Sequence, residues 1–183
     1  MKKWITLEEE CKHKAPTFSY TKLKRKSPKT GKTGDFDRLD CADWVNIIAR
    51  TKENNIVMVR QYRHGIDEIT EEIPGGAIDP GEDPLVAAKR ELAEETGYVS
   101  ENWYKTGEVI PNPAMMKNKC LFYFADQAEK REQQNLDPFE EIDVYELSMA
   151  DLNTKITKKQ ISHSLVIAAL YYFDRFLNSH KES

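Results

Sequence analysis

Acidic, basic and glycine residues recur at fixed spacing in one short stretch of the chain, GGAIDPGEDPLVAAKRELAEETGY, residues 75–98. The residues that carry the pattern are Gly76, Glu82, Arg90, Glu91, Glu94, Glu95 and Gly97. Carboxylates this close together repel one another, so something positive must offset their charge. A divalent cation that prefers hard oxygen ligands is the natural candidate. The stretch therefore indicates metal-dependent chemistry.

A turn followed by a short helix would position these side chains. Asp83 can cap a helix that has Pro84 at its first position, where a missing N–H costs nothing. The pattern predicts that the helix runs to about Glu95. Gly97 suits the position just past its end, where the backbone often turns left-handed.

The predicted helix has one apolar face and one acidic face. The apolar face comprises Leu85, Ala88 and Leu92. Glu91 and Glu95 are at i, i+4 spacing and share the other face, with Glu94 beside them. Arg90 can pair with Glu94 at the same spacing. We expect the apolar face to pack on the core and the acidic face to hold a cation.

The spacing resembles the Nudix box, which marks hydrolases of nucleoside diphosphates linked to another moiety. The match differs only at the last position, usually aliphatic, where this chain has Tyr98. The resemblance implies a Nudix α/β/α sandwich (an α/β or α+β fold) with a mixed β-sheet. It also implies a divalent-metal-dependent hydrolase that uses Mg²⁺, with Mn²⁺ as a substitute.

Within the box we expect Glu91 and Glu95 to be the first metal ligands. Glu94 or Glu82 would complete a second or third ion, and Glu94 also counts among the candidate catalytic residues. The resemblance adds the backbone carbonyl of Gly75 as a ligand. The residues expected to have structural roles are Arg90, which orients Glu82 or Glu94, together with Gly76 and Gly97.

Residues 60–76 resemble the branch of ADP-ribose pyrophosphatases and nucleoside diphosphate sugar hydrolases. In that branch an arginine at the position of Arg63 contacts the substrate diphosphate, a task that suits a bidentate guanidinium. The alternative for Arg63 is a surface charge at a strand end. Arg60 is a second substrate candidate, and Glu72 faces either an arginine or a ribose hydroxyl.

A proline at a set distance after the box marks ADP-ribose enzymes, and Pro113 occupies that place. The usual glycine after this proline is missing, which leaves GDP-mannose or another nucleotide sugar open. Met115 and Met116 either line the substrate pocket or pack the loop.

A general base must take a proton from the attacking water. In the branch it is a glutamate on a mobile loop before a late strand, and residues 136–144 occupy that place. Glu140 is the first candidate and Glu141 the second, against the alternative of a solvated acidic loop.

The N-terminal section, residues 1–40, precedes the expected Nudix domain of residues 41–183. Relatives place an aromatic residue of this section against the nucleobase, often across a dimer interface, which makes Trp4 a candidate beside Phe18 and Tyr20. Burial in the core is the alternative for each. The section has little apolar content, so we expect a homodimer.

Hydrophobic periodicity and turn residues predict the surrounding elements. The predicted strands are 3–7, 17–23, 43–49, 55–61, 69–73, 103–109, 118–125 and 141–147. A loop is predicted over 27–34, a hairpin turn over 51–55 and a final helix over 159–177. The stripe of the final helix is Ile161, Leu165, Ala169, Tyr172 and Phe176. Strands with a central and a terminal helix exclude repeated βαβ units.

The composition, with 39% hydrophobic and 32% charged residues in 183, is that of a soluble globular protein. The net charge of −4 gives no reason to expect a nucleic acid partner. A basic run between Lys22 and Lys32 is either a solvated hairpin or an attraction for a phosphorylated substrate. The separated cysteines (Cys11, Cys41, Cys120) favour reduced thiols in a cytoplasmic protein, with no membrane span expected.

The leading functional hypothesis is cleavage of a nucleoside diphosphate sugar, of the ADP-ribose or GDP-mannose type, to a nucleoside monophosphate and a sugar phosphate. One alternative is a hydrolase of NADH or of dinucleoside polyphosphates. A different class is a sensor that binds ADP-ribose without cleaving it. Sensors usually lose box carboxylates, and this chain keeps them.

Overall fold

The computed structural model describes residues 1–180, which form two compact units. One unit combines Met1–Asp43 with Ile110–Lys119, and the other combines Trp44–Val109 with the chain from Cys120 onward. In chain order the elements are β1 (Ile5–Lys14), β2 (Phe18–Lys26), β3 (Thr33–Cys41), β4 (Trp44–Thr51), β5 (Asn55–Arg63), β6 (Glu68–Glu72), β7 (Gly75–Ala77), α1 (Pro84–Thr96), β8 (Tyr98–Val99), β9 (Asn102–Val109), β10 (Cys120–Lys130), β11 (Ile142–Ser148), α2 (Met149–Thr157) and α3 (Ser164–Ser179).

The second unit is built on a mixed sheet. Its main path runs β11-β5-β4-β10-β8, with β6 on β5, β7 on β4 and β9 on β10. Only β4 and β10 among these pairs lie parallel, and both are apolar along most of their length because both faces of the sheet are covered there. The predicted mixed-sheet α/β sandwich is confirmed.

Alternation along the central strands sends side chains to two cores. Val45 and Ile47 of β4 join Leu92 of α1 on one side of the sheet. Phe122 and Phe124 of β10 join α2 and α3 on the other side. Helices therefore cover β4 and β10 on both faces of the sheet. The helix α1 packs on one face, and β7, which contains Gly75 and Gly76, pairs with β4.

The predicted helix α1 is confirmed together with its ends. The side chain of Asp83 accepts hydrogen bonds from the backbone N–H groups of Leu85 and Val86, at 2.9 and 3.3 Å. Gly97 has a φ of 73°, the left-handed conformation that ends a helix. Its N–H donates to the carbonyl of Ala93.

The first unit contains the antiparallel sheet β1-β2-β3, whose strands alternate in charge. Acidic residues of β1 and β3 lie opposite the lysines of β2, as in the pairs Glu8 with Lys24 and Lys22 with Asp37. The basic run thus has acidic neighbours on both sides, which favours the solvated-hairpin interpretation over an anion-attracting patch. Opposite charges across strands stabilise a sheet that buries little apolar area.

A second network joins the return segment 110–119 to β3 within this unit. Asp40 binds Arg38, and its carboxylate lies 3.0 Å from Nζ of Lys117. The backbone N–H of Leu39 donates to the carbonyl of Met115 at 2.8 Å. Desolvation of Asp40 is outweighed by these partners, so the pKa of its carboxyl lies well below the usual range. The segment is therefore anchored by both backbone and charge.

Several predicted boundaries are wrong. β1 continues to Lys14, and β3 falls where no strand is predicted, because both strands are mostly polar, contain no buried residue and lack the expected alternation. Residues 149–157 form the unpredicted α2, and α3 begins at Ser164 instead of residue 159. Lys159 has a φ of 59° and cannot lie in a helix. Ile161 is still buried in the core.

In the part of the chain that the structure describes, no helix is both long and apolar enough to cross a bilayer.

Candidate active site

Arg90 is the hub of the acidic stretch. Its Nε and Nη2 donate to the two oxygens of Glu82, both at 2.9 Å, and its Nη1 donates to Glu91 and Glu94 at 2.8 and 3.0 Å. Nη2 also reaches the carbonyl of Ala77 at 3.2 Å. The hydrogen bonds to Arg90 lower the pKa of Glu82. The geometry suits the predicted role of Arg90 as a residue that orients glutamates.

Glu91 and Glu95 are the under-neutralised carboxyls of the helix. The side chain of Glu95 is 5% exposed and accepts the backbone N–H of Gly75 at 2.9 Å. Burial, reinforced by the charges of Glu91 and Glu140, raises its pKa to about 8. Burial also raises the pKa of Glu91. Arg90 therefore offsets the charge of Glu91 only in part, and no cation among residues 1–180 forms an ion pair with Glu95.

This donor set fits a divalent cation. Among residues 1–180 no three acidic, histidine or cysteine side chains converge into a ready-made metal site. The oxygens of Glu91 and Glu95 are nevertheless hard ligands in a buried place that a dication would neutralise. Glu94 and Glu82 are held nearby by Arg90, and ligation of a metal by them or by the carbonyl of Gly75 stays a prediction.

The glycines of the stretch make room for these groups. A Cβ on Gly76 would lie 2.4 Å from the carboxylate of Glu91, and one on Gly75 would lie 2.3 Å from the carbonyl oxygen of Val45. A Cβ on Gly97 would lie 2.3 Å from the carbonyl oxygen of Glu132. Strand β7 can therefore lie directly beside β4 and the acidic face of α1 only because Gly75 and Gly76 have no side chains. Gly97 allows the same close approach of residue 132 at the end of the helix.

Arg63, the predicted diphosphate ligand, is held by Glu72. Its Nε and Nη2 donate to the two carboxylate oxygens at 2.8 and 2.7 Å. Glu72 is 1% exposed, so its carboxylate is buried beneath the arginine, and its contact with a ribose hydroxyl stays a prediction. Of the two predicted partners of Glu72, the structure shows the arginine. The Arg63 side chain itself remains partly exposed.

The loop between β10 and β11 brings Glu140 to this group. The charge of Glu140 acts to raise the pKa of Glu91, Glu95 and Arg63, so its carboxylate lies within electrostatic reach of each. Glu140 closes a local turn, in which its N–H donates to the carbonyl of Asp137 at 2.9 Å. The placement favours Glu140 as the candidate base.

Arg60 lies on the other face of β5 from Arg63, because an odd separation along a strand sends side chains to opposite faces. Its guanidinium contacts Glu71 at 3.4 Å and lies over the ring of Tyr145 at 4.6 Å. Glu71 in turn pairs with Lys155 of α2. Among the described residues, Arg60 makes no contact with Glu91 or Glu95, and its contact with substrate stays a prediction.

The aromatic and methionine candidates belong to the first unit. Trp4 is 38% exposed and packs edge-on against Phe36, with ring centroids 5.5 Å apart. Phe18, at the start of β2, is also 38% exposed. Met116 forms an isolated bridge with Leu39. None of the three is buried, so their roles in binding a base stay predictions.

Tyr98, which replaces the usual aliphatic residue of the box, has a hydrogen-bond partner for its hydroxyl that is far away in the sequence, Glu146. Its ring is 8% exposed and packs in the core on the α1 side. Its hydroxyl donates to the carboxylate of Glu146 at 2.6 Å. Burial and this carboxylate raise the pKa of Tyr98 to about 12. A buried tyrosine needs such a partner, yet no sequence signal connects the two positions.

Tyr98→Phe is expected to destabilise the protein by only about 0.5–1.5 kcal/mol, since Glu146 is exposed and can bind water when the hydroxyl is lost. Tyr98→Ala is expected to cost about 3–5 kcal/mol because it leaves a cavity. Urea denaturation at pH 7 measures both. Glu146→Gln serves as the matched control. Equal losses in the two tyrosine variants would contradict the view that the ring, not the hydroxyl, stabilises this site.

Three comparisons with known proteins bear on this arrangement. The Methanol dehydrogenase activator of Bacillus methanolicus is 38% identical over 129 residues, 70% of each chain. The ADP-ribose pyrophosphatase of Bacillus subtilis (strain 168) is 30% identical over 132 residues, again 70% of each chain. A crystal structure of an ADP compounds hydrolase covers 98% of this chain and 97% of its own, with a TM-score of 0.85. At 18% identity that likeness shows the fold alone.

The family model described as NUDIX domain matches residues 42–170, which is more than half of the chain. The match includes the whole acidic stretch, Arg63 and the loop of Glu140. Because the model spans these elements and two relatives align with 70% of the chain, the chain belongs to the NUDIX domain family.

Proposed function

We propose that this protein is a Mg²⁺-dependent pyrophosphohydrolase. It would cleave the diphosphate of ADP-ribose and related nucleoside diphosphate sugars to a nucleoside monophosphate and a sugar phosphate. The observation that supports the proposal is the acidic face of α1, where Glu95 accepts the N–H of Gly75 and where the charges of Glu91, Glu140 and Arg63 all act on Glu95. The name of the Bacillus subtilis relative supports ADP-ribose as the first substrate to test.

The protein residues divide the work on a diphosphate. Arg63 has its Nε and Nη2 held by Glu72, which leaves its Nη1 edge to bind a phosphate oxygen. Glu140 would accept a proton from the attacking water. A divalent ion bound at Glu91 and Glu95 would neutralise phosphate charge and lower the pKa of a bound water.

Nudix hydrolases generally depend on a divalent metal. Mg²⁺ is our first choice and Mn²⁺ a substitute, because the donors are carboxylate oxygens. We also propose a cytoplasmic homodimer, supported by the first unit, where β1 is exposed along all of its length. The aromatic candidates Trp4 and Phe18 would then contact the nucleobase, and Met116 would line the pocket.

We expect ADP-ribose to be cleaved to AMP and ribose 5-phosphate in the presence of Mg²⁺, faster than GDP-mannose, UDP-glucose or NADH. Product chromatography over this panel measures the preference. Chelation with EDTA should abolish turnover, and restoring Mg²⁺ or Mn²⁺ should recover it, because the buried carboxylates then regain their counter-charge.

The same panel separates the alternatives. Preferred cleavage of NADH would favour the dinucleotide hydrolase. Binding of ADP-ribose without any product, measured by calorimetry with Mg²⁺ present, would favour the sensor. No cleavage of any of these compounds by folded protein with either metal would contradict the proposed function.

A further inference from the structure

The buried carboxylate of Glu72 has an incomplete hydrogen-bond shell. Its Oε1 accepts from Nε of Arg63 at 2.8 Å and from the hydroxyl of Thr70 at 2.6 Å. Its Oε2 accepts from Nη2 of Arg63 at 2.7 Å, and the described residues supply it with no second hydrogen bond. Each oxygen of an ionised carboxylate offers about two lone-pair sites. Oε2 therefore has a free acceptor site in a place that is closed to solvent.

An unsatisfied donor position faces this oxygen. Nδ1 of His163 lies 3.6 Å from Oε2 of Glu72. That nitrogen is buried and, within residues 1–180, has no hydrogen-bond partner. Buried polar atoms are almost always satisfied. Two such atoms with complementary needs, separated by little more than a hydrogen-bond length, are best explained as partners.

The position of His163 in the chain agrees with this. It is the residue that precedes α3, and its side chain makes no capping hydrogen bond to that helix. A residue at this position normally uses its side chain to satisfy the free N–H groups of the first turn. The imidazole of His163 points instead toward Glu72, so helix capping does not account for it.

We propose that His163 is a positioning residue, which completes the shell of Glu72 and thereby fixes the guanidinium of Arg63 for the substrate diphosphate. The inference rests on the proposed function for the identity of the ligand. In this arrangement the start of α3 supports substrate binding indirectly. His163 contacts Glu72, Glu72 holds Arg63, and only Arg63 would contact the substrate.

His163→Ala is expected to raise KM for ADP-ribose about tenfold, the usual effect of losing a hydrogen bond to a charged group, while kcat changes less than about twofold. Steady-state kinetics at saturating Mg²⁺ measure the two constants. His163→Asn should restore KM, because its amide nitrogen reaches about as far as Nδ1. Thermal unfolding in parallel separates any capping effect of asparagine from the effect on KM.

The matched control is His64→Ala, which removes an exposed histidine from the β5–β6 hairpin next to Arg63. It should leave KM unchanged. An unchanged KM in His163→Ala, or a raised KM that asparagine does not restore, would overturn the inference. Equal effects of the two alanine variants would also overturn it, since they would show that the loss is not specific to His163.

A measurement without turnover keeps this inference separate from the proposed function. The Nε–H resonance of Arg63, assigned by its loss in Arg63→Lys, should be sharp and slow to exchange in the wild type, because Glu72 holds it. It should broaden in His163→Ala and recover in His163→Asn. A resonance that His163→Ala leaves sharp would overturn the inference, whether or not any substrate is cleaved.

Discussion

Glu95→Gln is expected to abolish turnover and, in metal-free protein, to make the fold more stable. Losing a residue that only supports a metal ligand lowers activity about 10–100-fold. The loss in Glu95→Gln should be larger, because the predicted ligand itself is removed. The gain in stability follows from burial, which raises the pKa of Glu95 from 4.5 to about 8. A neutral amide at this position removes the cost of protonating the carboxyl, or of burying its charge, when the chain folds.

The stability gain has a defined pH dependence. The unfolded chain ionises Glu95 near pH 4.5, whereas the folded protein keeps it protonated until about pH 8. Raising the pH between these values therefore favours the unfolded wild type. At about 1.4 kcal/mol per pH unit, the penalty is on the order of 3 kcal/mol at pH 7 and vanishes near pH 4. Denaturant unfolding of metal-free protein at pH 5 and pH 7.5 measures it.

Glu101→Gln, which changes an exposed glutamate outside the stretch, should alter neither activity nor stability. Adding Mg²⁺ should raise the Tm of the wild type by linkage and leave that of Glu95→Gln nearly unchanged. Wild-type rates in Glu95→Gln would end the argument for a metal on this helix face. A variant no more stable than wild type at pH 7.5 would refute the electrostatic penalty.

Glu140→Gln is expected to lower kcat by about 10²–10⁴-fold, the range that general-base catalysis contributes. Glu140 is the loop glutamate whose charge reaches Glu91, Glu95 and Arg63. Steady-state kinetics with ADP-ribose and Mg²⁺ measure the loss, and KM should change little because the amide keeps the size of the side chain.

Glu141→Gln is the matched control, one residue along the same loop, and should have a milder effect. The reverse order would transfer the role of base to Glu141. Full activity in both variants would show that the loop supplies no base. Far-UV circular dichroism of each variant confirms that the loop change leaves the fold intact.

The sequence was informative where local rules and burial agree. Asp83, Pro84 and Gly97 predicted the ends of α1, because a cap, a first-turn proline and a left-handed glycine are local features. The central strands were predicted because burial on both faces makes them continuously apolar. The strand β3, by contrast, is not predicted from the sequence. Its acidic residues stabilise a strand only when they lie opposite the lysines of β2, and a local pattern does not show that pairing.

Contacts between distant residues explain most of what the sequence could not show. The helix α2 does have a local sequence signal at its start, because the hydroxyl of Ser148 accepts a hydrogen bond from the N–H of Asp151. No such signal joins Glu72 to His163, or Tyr98 to Glu146, because these pairs form only when the sheet assembles. Arg60 and Arg63 lie on different faces of β5 because side chains alternate along a strand. Similarity to a branch of the family does not by itself distinguish the two arginines.

The return of segment 110–119 to the first unit sets an order of events during synthesis. The strands β1, β2 and β3 are complete once residue 41 has been made, yet Asp40 and Leu39 meet Lys117 and Met115 only much later. At about 5–20 residues per second, the ribosome leaves that small polar sheet without its anchor for on the order of seconds. A slow codon stretch between the two parts would lengthen this exposure, so the yield of folded protein should depend on translation speed there.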